Sequence, residues 1–142
     1  MNLTIATIAK QINASFEGDA SLLIDAISID SRSLQNGPHT LFFALIGPNN
    51  DAHSYIIDLI QQGVTHFVVQ YIPEDCVGKA HFLVVQNTLA ALQELASYHR
   101  SLFHFPVIGV TGSNGKTIVK EWLNFLLSPD YSIIRSPKSY NS

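Results

Sequence analysis

The sequence predicts an α/β fold in two parts: a small N-terminal α/β domain over residues 1–83, followed over 84–142 by the first β-α-β portion of a P-loop nucleotide-binding domain. Two observations predict it. Short runs of branched and aromatic residues alternate with stretches of helical periodicity, an order typical of parallel sheets. In addition, "GVTGSNGKT" (109–117) joins an apolar run to a helix, which is the context of a phosphate-binding loop.

The elements of the first domain follow from local patterns and from their flanking residues. In chain order these patterns predict a helix with Ile5, Ile8 and Ile12 on one face and Thr4 or Asn2 as its cap, strands at 22–30 and 40–47, a helix that Asp51 caps and Gly63 ends, and strands at 66–70 and 81–86.

The second part begins with a long helix from Thr88 to about Arg100, for which Asn87 is the expected cap. "FPVIGV" (105–110) is a continuous apolar run of the kind expected for a buried parallel strand. The helix after the loop has a broad apolar face, on which Trp122 and Phe125 are expected to be core residues. "YSIIRS" (131–136) predicts the next strand.

Composition narrows the classes of partner. The 142 residues are 46% hydrophobic and 13% charged, with a net charge of -3, which gives no reason to expect nucleic acid or a membrane surface as a partner. The single cysteine, Cys76, excludes an internal disulfide and fits a reducing compartment, so we expect a cytoplasmic protein. The N-terminus shows no leader pattern and no apolar run is long enough to span a bilayer, so neither export nor anchoring is expected.

The loop residues fit the chemistry of a nucleotide site. Gly112 and Gly115 allow the turn without a clashing β-carbon, and backbone amides at a helix start attract phosphate. Lys116 can then reach the β- and γ-phosphates of ATP, and the Thr117 hydroxyl can ligate the accompanying Mg²⁺. The alternative interpretation is an ordinary glycine-rich turn that happens to end in Gly-Lys-Thr.

The general P-loop pattern G-x-x-x-x-G-K-[ST] requires glycine at position 110, where the chain has Val110. The observed spacing from Gly109 instead resembles the ATP-binding loop of the Mur ligases, G-x-T-G-[ST]-N-G-K-[ST]. This resemblance implies Lys116 as the catalytic residue and Thr117 as the Mg²⁺ ligand. The ATP-binding residues that it implies are Gly112, Ser113, Asn114, Gly115, Lys116 and Thr117.

A second stretch, "DSRSLQNGPHTLFFALIGPNNDAHSYIIDLIQQGVTHFVV", is similar to the N-terminal domain that holds the UDP end of the substrate in this family. It departs from the family pattern at Ala52, usually glycine, and at 38–40. From the residues alone, Asp30 and Arg32 could equally stabilise a turn, and His53 could be an ordinary helix-start residue. The residues that the resemblance implies for UDP-substrate binding are Asp30, Ser31, Arg32, Asp51 and His53.

Mur ligases add amino acids to the peptidoglycan precursor with ATP and Mg²⁺, through an acyl phosphate. Ser113 and the pair Lys120-Glu121 are most similar to the members that add D-alanyl-D-alanine to UDP-N-acetylmuramoyl-tripeptide, and 105–142 resembles a version fused to a C-terminal alanine racemase. Because the family enzymes have three domains, we expect a fragment that is inactive alone. Whether the tripeptide ends in lysine or diaminopimelate stays open, as does the oligomeric state.

Some other functions are compatible with the residues, and others are not. A tripeptide-forming Mur ligase and a non-catalytic nucleotide-binding module remain alternatives, whereas a P-loop kinase or a folylpolyglutamate synthase would leave the stretch around Asp30-Arg32 unexplained. The six histidines show neither H-E-x-x-H nor a close Cys/His cluster, so no transition-metal site is expected. No G-x-S-x-G motif supports a serine hydrolase.

Overall fold

A computed structural model of the chain describes residues 2–32 and 37–136. The chain divides into two compact units, Met1–Phe103 and His104–Ser142. The third helix, α3 (Thr88–Ser101), lies within the first unit, although the predicted domain boundary precedes it, between residues 83 and 84. That boundary concerns the domains of a family and stays a prediction, since the packing of one helix does not test it.

Helices and strands alternate in the first unit, as the sequence predicts. In the described part of the chain the other elements are β1 (Leu3–Thr4), α1 (Ile5–Gln11), β2 (Ser15–Phe16), β3 (Leu23–Ile24), β4 (Ala26–Ser28), β5 (Thr40–Phe43), α2 (Ile56–Gln61), β6 (His66–Val69), β7 (His81–Val84) and α4 (Lys116–Leu127), with 3-10 turns at Gly37–His39, Ala52–Tyr55 and Glu74–Cys76.

The main sheet has five strands in the order β2-β7-β6-β5-β4. Strands β4 to β7 pair in parallel, whereas β2 joins β7 antiparallel at one edge. A separate two-stranded sheet pairs β1 with β3. The α/β class with a parallel sheet is therefore confirmed for the first unit, and the parallel strands direct their carboxyl ends to the same edge.

Both faces of the sheet are covered, because successive side chains of a strand point to opposite faces. On β5, Leu41 and Phe43 join a buried cluster with α1 and α3, while Phe42 joins a second cluster with α2. Phe67 on β6 is fully buried and packs edge-on against Phe42, at a ring separation of 6.1 Å. The sheet is thus the middle layer between helices.

The predicted caps of the first unit are present. Thr4 Oγ1 accepts a hydrogen bond from the Thr7 amide at 3.2 Å, and Asn87 Oδ1 accepts one from the Ala90 amide at 2.9 Å. At the end of α2, Gly63 has a φ of 93°, a left-handed conformation that favours glycine.

The predicted strand at 22–30 is two strands in different sheets. β3 pairs with β1 and β4 pairs with β5, and between them the Asp25 amide donates to the His39 carbonyl at 3.2 Å. A single strand over this range is therefore wrong. The two-residue strands β1 and β2 lie below the length at which alternation can be recognised.

Two strand predictions in the second unit are wrong. Neither 105–110 nor 131–136 forms strand hydrogen bonds, because in the described ranges no neighbouring strand supplies the partner groups that a ladder requires. Phe105, Val107 and Ile108 are accordingly exposed rather than buried.

Helix α4 forms as predicted, but its apolar face is not a core. Trp122 is 68% exposed and Phe125 is 78% exposed, so the expectation that both are core residues is wrong for this structure. A helical stripe is buried only where another layer covers it, and the described residues around α4 provide none. Within those residues, no helix is both long and apolar enough to cross a bilayer.

Candidate functional site

The residues predicted for the UDP end lie in loops at one edge of the sheet. Asp30 to Arg32 follow β4, residues 51–53 lie in the connection that follows β5, and Gln70 and Tyr71 directly follow β6. Since these three strands are parallel neighbours, their carboxyl ends meet at this edge. Open α/β sheets bind ligands outside the carboxyl ends of their strands.

Asp30 and Arg32 form a compact ion pair. Arg32 Nε donates to Asp30 Oδ1 at 2.9 Å and Nη2 donates to Oδ2 at 3.0 Å, while the Arg32 amide also donates to Oδ1 at 3.0 Å. These bonds from Arg32 lower the pKa of Asp30 to about 2. These contacts stabilise the turn, while the Arg32 side chain is 87% exposed and so accessible to a ligand.

Ser28 secures this loop from the end of β4. Its hydroxyl donates to the Asp30 carbonyl at 3.1 Å and accepts from the Asp30 amide at 3.3 Å. The loop that contains the Asp30–Arg32 ion pair is thereby held against the end of β4. Ser31 lies half-buried between the two charged residues.

Asp51 caps the turn that leads into α2. Its Oδ1 accepts from the His53 amide at 2.9 Å and lies 2.6 Å from His53 Nδ1. The His53 side chain is 1% exposed, and its Nε2 accepts from the Gln70 amide at 3.0 Å. The structure thus brings Asp51 and His53 into contact, with both ring nitrogens of the histidine already hydrogen-bonded.

Sequence reasoning missed Tyr71, which lies just after the strand predicted at 66–70. The Tyr71 hydroxyl donates to Asp51 Oδ2 at 2.6 Å, and its ring stacks on His53 at 4.2 Å with an angle of 9° between the planes. Hydrogen bonding to Asp51 raises the pKa of Tyr71 above its ordinary value. Its position immediately after β6, at the carboxyl edge, is the signal that could have found it.

Tyr55 also lies in this region and was assigned no role in the site. Its hydroxyl donates to Asn50 Oδ1 at 2.9 Å, and its charge, when ionised, contributes to the raised pKa of Arg32, after the larger effects of Asp30. Tyr55 and Asn50 both lie in the connection between β5 and α2, which also contains Asp51 and His53.

The predicted phosphate loop precedes α4 in the second unit. Gly112 and Gly115 have φ values of 144° and 78°, which a residue with a β-carbon adopts only with strain. Lys116 Nζ donates to the Gly112 carbonyl, so the ammonium group is held within its own loop. Lys116 opens α4, whose first turn contains no acidic residue and whose cap provides no side-chain acceptor.

A helix start leaves its first amides without intrahelical acceptors. The first bond of α4 runs from the Val119 amide to the Gly115 carbonyl at 2.9 Å. The amides at this end, the helix dipole and the Lys116 ammonium group together favour an anion. The loop geometry is therefore compatible with a nucleotide phosphate.

The chain after α4 is tied back to the helix by charged groups. Arg135 Nη1 donates to Glu121 Oε1 at 2.6 Å, and Lys120 Nζ donates to the Ser136 carbonyl at 2.8 Å. Lys120 also lies 3.3 Å from Glu121 Oε1. The positive charge of Lys120 is thus directed to this segment, in contrast to that of Lys116.

In its fold, in the loop at 109–117 and in the stretch that begins at Asp30, the chain resembles one class of protein, the Mur ligases. Comparison with solved structures supports this resemblance. The structure superposes on MurF from Acinetobacter baumannii with a TM-score of 0.80 and 28% identity, covering 92% of this chain and 28% of that one. It also matches a MurF ligase from Thermotoga maritima in complex with ADP, with a TM-score of 0.67 and 28% identity, covering 82% of this chain and 26% of that one.

The curated proteins that it resembles include ligases named for D-alanyl-D-alanine and one named for 2,6-diaminopimelate. A UDP-N-acetylmuramoyl-tripeptide–D-alanyl-D-alanine ligase from Haemophilus influenzae is 36% identical over 121 residues, which are 85% of this chain and 26% of that protein. A UDP-N-acetylmuramoyl-L-alanyl-D-glutamate–2,6-diaminopimelate ligase from Bacteroides thetaiotaomicron is 36% identical over 72% of this chain and 21% of that protein. No family model matches the chain.

The resemblance to the Mur ligases predicted from the two motifs is therefore confirmed. The chain spans about a quarter of the length of these curated relatives.

Proposed function

We propose that the chain is part of an ATP-dependent ligase that joins D-alanyl-D-alanine to UDP-N-acetylmuramoyl-tripeptide. Similarity to ligases of this name over most of the chain carries the proposal. The two predicted sites support it independently, because the same chain contains a phosphate-type loop and a polar edge on a parallel sheet. In this reaction ATP phosphorylates the terminal carboxylate of the tripeptide, the amine of D-alanyl-D-alanine attacks the acyl phosphate, and phosphate leaves as the amide forms.

The loop at 109–117 would bind the triphosphate of ATP. Lys116 would exchange the Gly112 carbonyl for oxygens of the β- and γ-phosphates, and so neutralise charge on the group that is transferred. The amides of Ser113, Asn114 and Gly115 would follow the phosphate chain at the start of α4.

Mg²⁺ would be held by the Thr117 hydroxyl together with phosphate oxygens. An oxygen ligand at a helix start fits Mg²⁺, which in nucleotide sites takes few protein ligands besides phosphates and water. The part of the chain that the structure describes contains no cluster of three or more His, Cys, Asp or Glu side chains arranged to hold a metal by themselves. The metal would therefore bind with the nucleotide.

The carboxyl edge of the sheet would bind the UDP end of the substrate. Arg32 offers an exposed guanidinium group that is held in place by Asp30, and such a group suits a pyrophosphate. Ser31, Asp51 and His53 complete the set of residues assigned to this end.

Binding of the UDP-linked precursor tests the proposal. The 142-residue chain should bind UDP-N-acetylmuramoyl-tripeptide in a calorimetric titration, and free UDP should compete. A plain ATP-binding module would bind neither compound, so absence of binding rejects the assignment of the first unit.

The second candidate is a ligase that forms the tripeptide, which the similarity to the diaminopimelate ligase favours. In the full-length protein, ADP release with the tripeptide precursor and D-alanyl-D-alanine supports the first candidate. ADP release with the dipeptide precursor and 2,6-diaminopimelate supports the second. Binding of ATP and of the UDP-linked precursor without formation of an amide product would instead indicate a non-catalytic module.

A further inference from the structure

His53 stands at the centre of a closed set of contacts at the carboxyl edge of the sheet. Its Nε2 accepts a hydrogen bond from the Gln70 amide at 3.0 Å, so Nε2 carries a lone pair and no proton. The proton of the neutral ring therefore lies on Nδ1, which donates to Asp51 Oδ1 at 2.6 Å. A second proton would face the Gln70 amide donor.

Asp51 receives hydrogen bonds on both carboxylate oxygens. Oδ1 accepts from the amide and the ring of His53, and Oδ2 accepts from the Tyr71 hydroxyl at 2.6 Å. Partial burial raises the pKa of Asp51, but the hydrogen bonds from Tyr71 and His53 outweigh it and hold the pKa below its ordinary value. The carboxylate stays ionised, and its side chain is still 38% exposed.

Tyr71 closes the set. Its ring lies flat on the His53 ring while its hydroxyl reaches Asp51, so each of the three side chains touches the other two. His53 itself is 1% exposed, whereas Tyr71 is 49% exposed. Asp51 and Tyr71 are therefore exposed enough to contact a ligand, whereas the buried His53 holds these two side chains in place.

We propose that His53 is a positioning residue for the UDP end of the substrate, which fixes the Asp51 carboxylate and the Tyr71 ring at the carboxyl edge of the sheet without contacting the substrate. The inference rests on the proposed function, since it concerns the residues that would hold this end. It also assigns Tyr71, which no sequence motif indicated, to the same site.

The backbone around His53 supports this role. The Ala52 amide donates to the Leu45 carbonyl at 3.0 Å, and Asp51 forms a bridge with Ile46, so the connection after β5 is closed on itself. The His53 ring bonds this connection to Gln70 at the end of β6. Substitutions at His53 should therefore alter the affinity for the ligand indirectly, through the positions of Asp51 and Tyr71.

Two variants separate the hydrogen bonds of the ring. In His53→Gln the side-chain oxygen can still accept from the Gln70 amide, but the donor to Asp51 is lost. In His53→Asn the amide nitrogen can still donate to Asp51, but the acceptor for Gln70 is lost. A histidine that serves packing alone predicts equal losses of binding in the two variants. A positioning role through Asp51 predicts that H53Q binds UDP-N-acetylmuramoyl-tripeptide roughly tenfold more weakly than H53N, because both variants lose the ring on which Tyr71 stacks and only H53Q loses the donor to Asp51.

A double-mutant cycle with Asp51→Ala gives the second measurement. Residues that act through one another are non-additive, so H53Q should change the Kd by less than about twofold once Asp51 is alanine. The exposed His104→Gln is the control and should leave binding unchanged. Additive losses in the double variant, or equal losses in H53Q and H53N, would overturn the inference and leave the proposed function standing.

The ring protonation gives a test that needs no activity. Nitrogen-15 spectra of the chain should show His53 with a proton on Nδ1 and none on Nε2, both in the free chain and with saturating precursor. A proton on Nε2, or one that moves when the precursor binds, would contradict the positioning role. A wild-type chain that fails to bind the precursor would instead overturn the proposed function and, with it, this role.

Discussion

The carboxyl edge of the sheet and the loop at 109–117 both carry predicted site residues, but the structure around them differs. At the edge, Asp51, His53 and Tyr71 are bound to one another and to the sheet. At the loop, Lys116 bonds the loop itself, and α4 presents Trp122 to solvent.

This difference teaches that a motif and its supporting structure are separate properties. The left-handed glycines and the helix start of the loop are local, so 109–117 forms them without a surrounding sheet. The edge site is non-local, because its residues come from the connections that follow three different strands. Packing should therefore determine the effect of substitutions in the first unit, and charge should determine it at the loop.

The largest expected contrast in stability is between substitutions of a buried phenylalanine, Phe67, and of an exposed one, Phe125. Phe67→Ala removes a fully buried ring between Phe42 and Phe82 and should lower the free energy of unfolding by about 3–5 kcal/mol. Phe125→Ala removes an exposed ring and should change it by less than about 0.5 kcal/mol. Denaturant unfolding followed by circular dichroism measures both.

Fluorescence of the single tryptophan, Trp122, reports on the second unit separately. If Phe125→Ala destabilised the chain as much as Phe67→Ala, the apolar face of α4 would have to be covered, and the contrast between the two units would fail.

The second prediction concerns charge at the loop. In the full-length protein, Lys116→Ala should lower turnover by roughly a hundredfold to a thousandfold or more if the proposed function holds, because the variant would lack the cation that neutralises the transferred phosphate. Lys120→Ala is the matched control, since it removes the same charge from the same helix but from a side chain directed to Ser136 and Glu121. ADP release measures both, and retained turnover in K116A would reject the loop assignment.

The third prediction is a pH effect in the first unit. Burial, reinforced by His81 and opposed by Asp19, lowers the pKa of His66 from 6.5 to about 4. The unfolded chain therefore binds more protons than the folded chain between these values. Stability from the neutral ring is complete above about pH 6.5 and falls as the pH drops towards 4, by at most about 1.4 kcal/mol per pH unit.

His66→Gln should flatten this dependence, as measured by denaturant unfolding at several pH values. His104→Gln, at an exposed position, should keep the wild-type slope. An unchanged slope in H66Q would show that the buried ring does not carry the effect.

The sequence predicted what is local and missed what is not. The caps at Thr4 and Asn87, the stop at Gly63 and the helix after the loop were predictable, because neighbouring residues determine them. The division of 22–30 between two sheets was not, since it depends on pairing with β1 and β5, which are distant in the chain or too short to recognise.

The candidate site divides in the same way. Asp51 and His53 are two residues apart, so a motif could indicate both. Tyr71 meets Asp51 across 20 positions, through the adjacency of β5 and β6, and no local pattern encodes that contact. Strand 105–110 was predicted from its apolar run, but a run does not supply the neighbouring strand on which pairing depends.

The smallest expected effect comes from the exposed Asp30–Arg32 pair. Arg32→Ala should leave the unfolding transition unchanged, because exposed ion pairs contribute little to stability. If the guanidinium group meets the pyrophosphate, the same change should weaken binding of UDP-N-acetylmuramoyl-tripeptide roughly tenfold or more. Arg135→Ala is the matched control, since Arg135 also pairs with a carboxylate, at 2.6 Å from Glu121, but lies in the second unit.

The two arginine variants decide between the interpretations left open for this pair. A role in the turn alone predicts that R32A and R135A bind the precursor equally well, whereas a role in the UDP site predicts a loss in R32A alone. Asp30→Asn sharpens the distinction, because it keeps an acceptor for the Arg32 amide while removing the charge that holds the guanidinium group. Calorimetric binding by D30N that is intermediate between wild type and R32A is expected if Asp30 acts by orienting Arg32, and binding equal to that of wild type would show that the orientation is unnecessary.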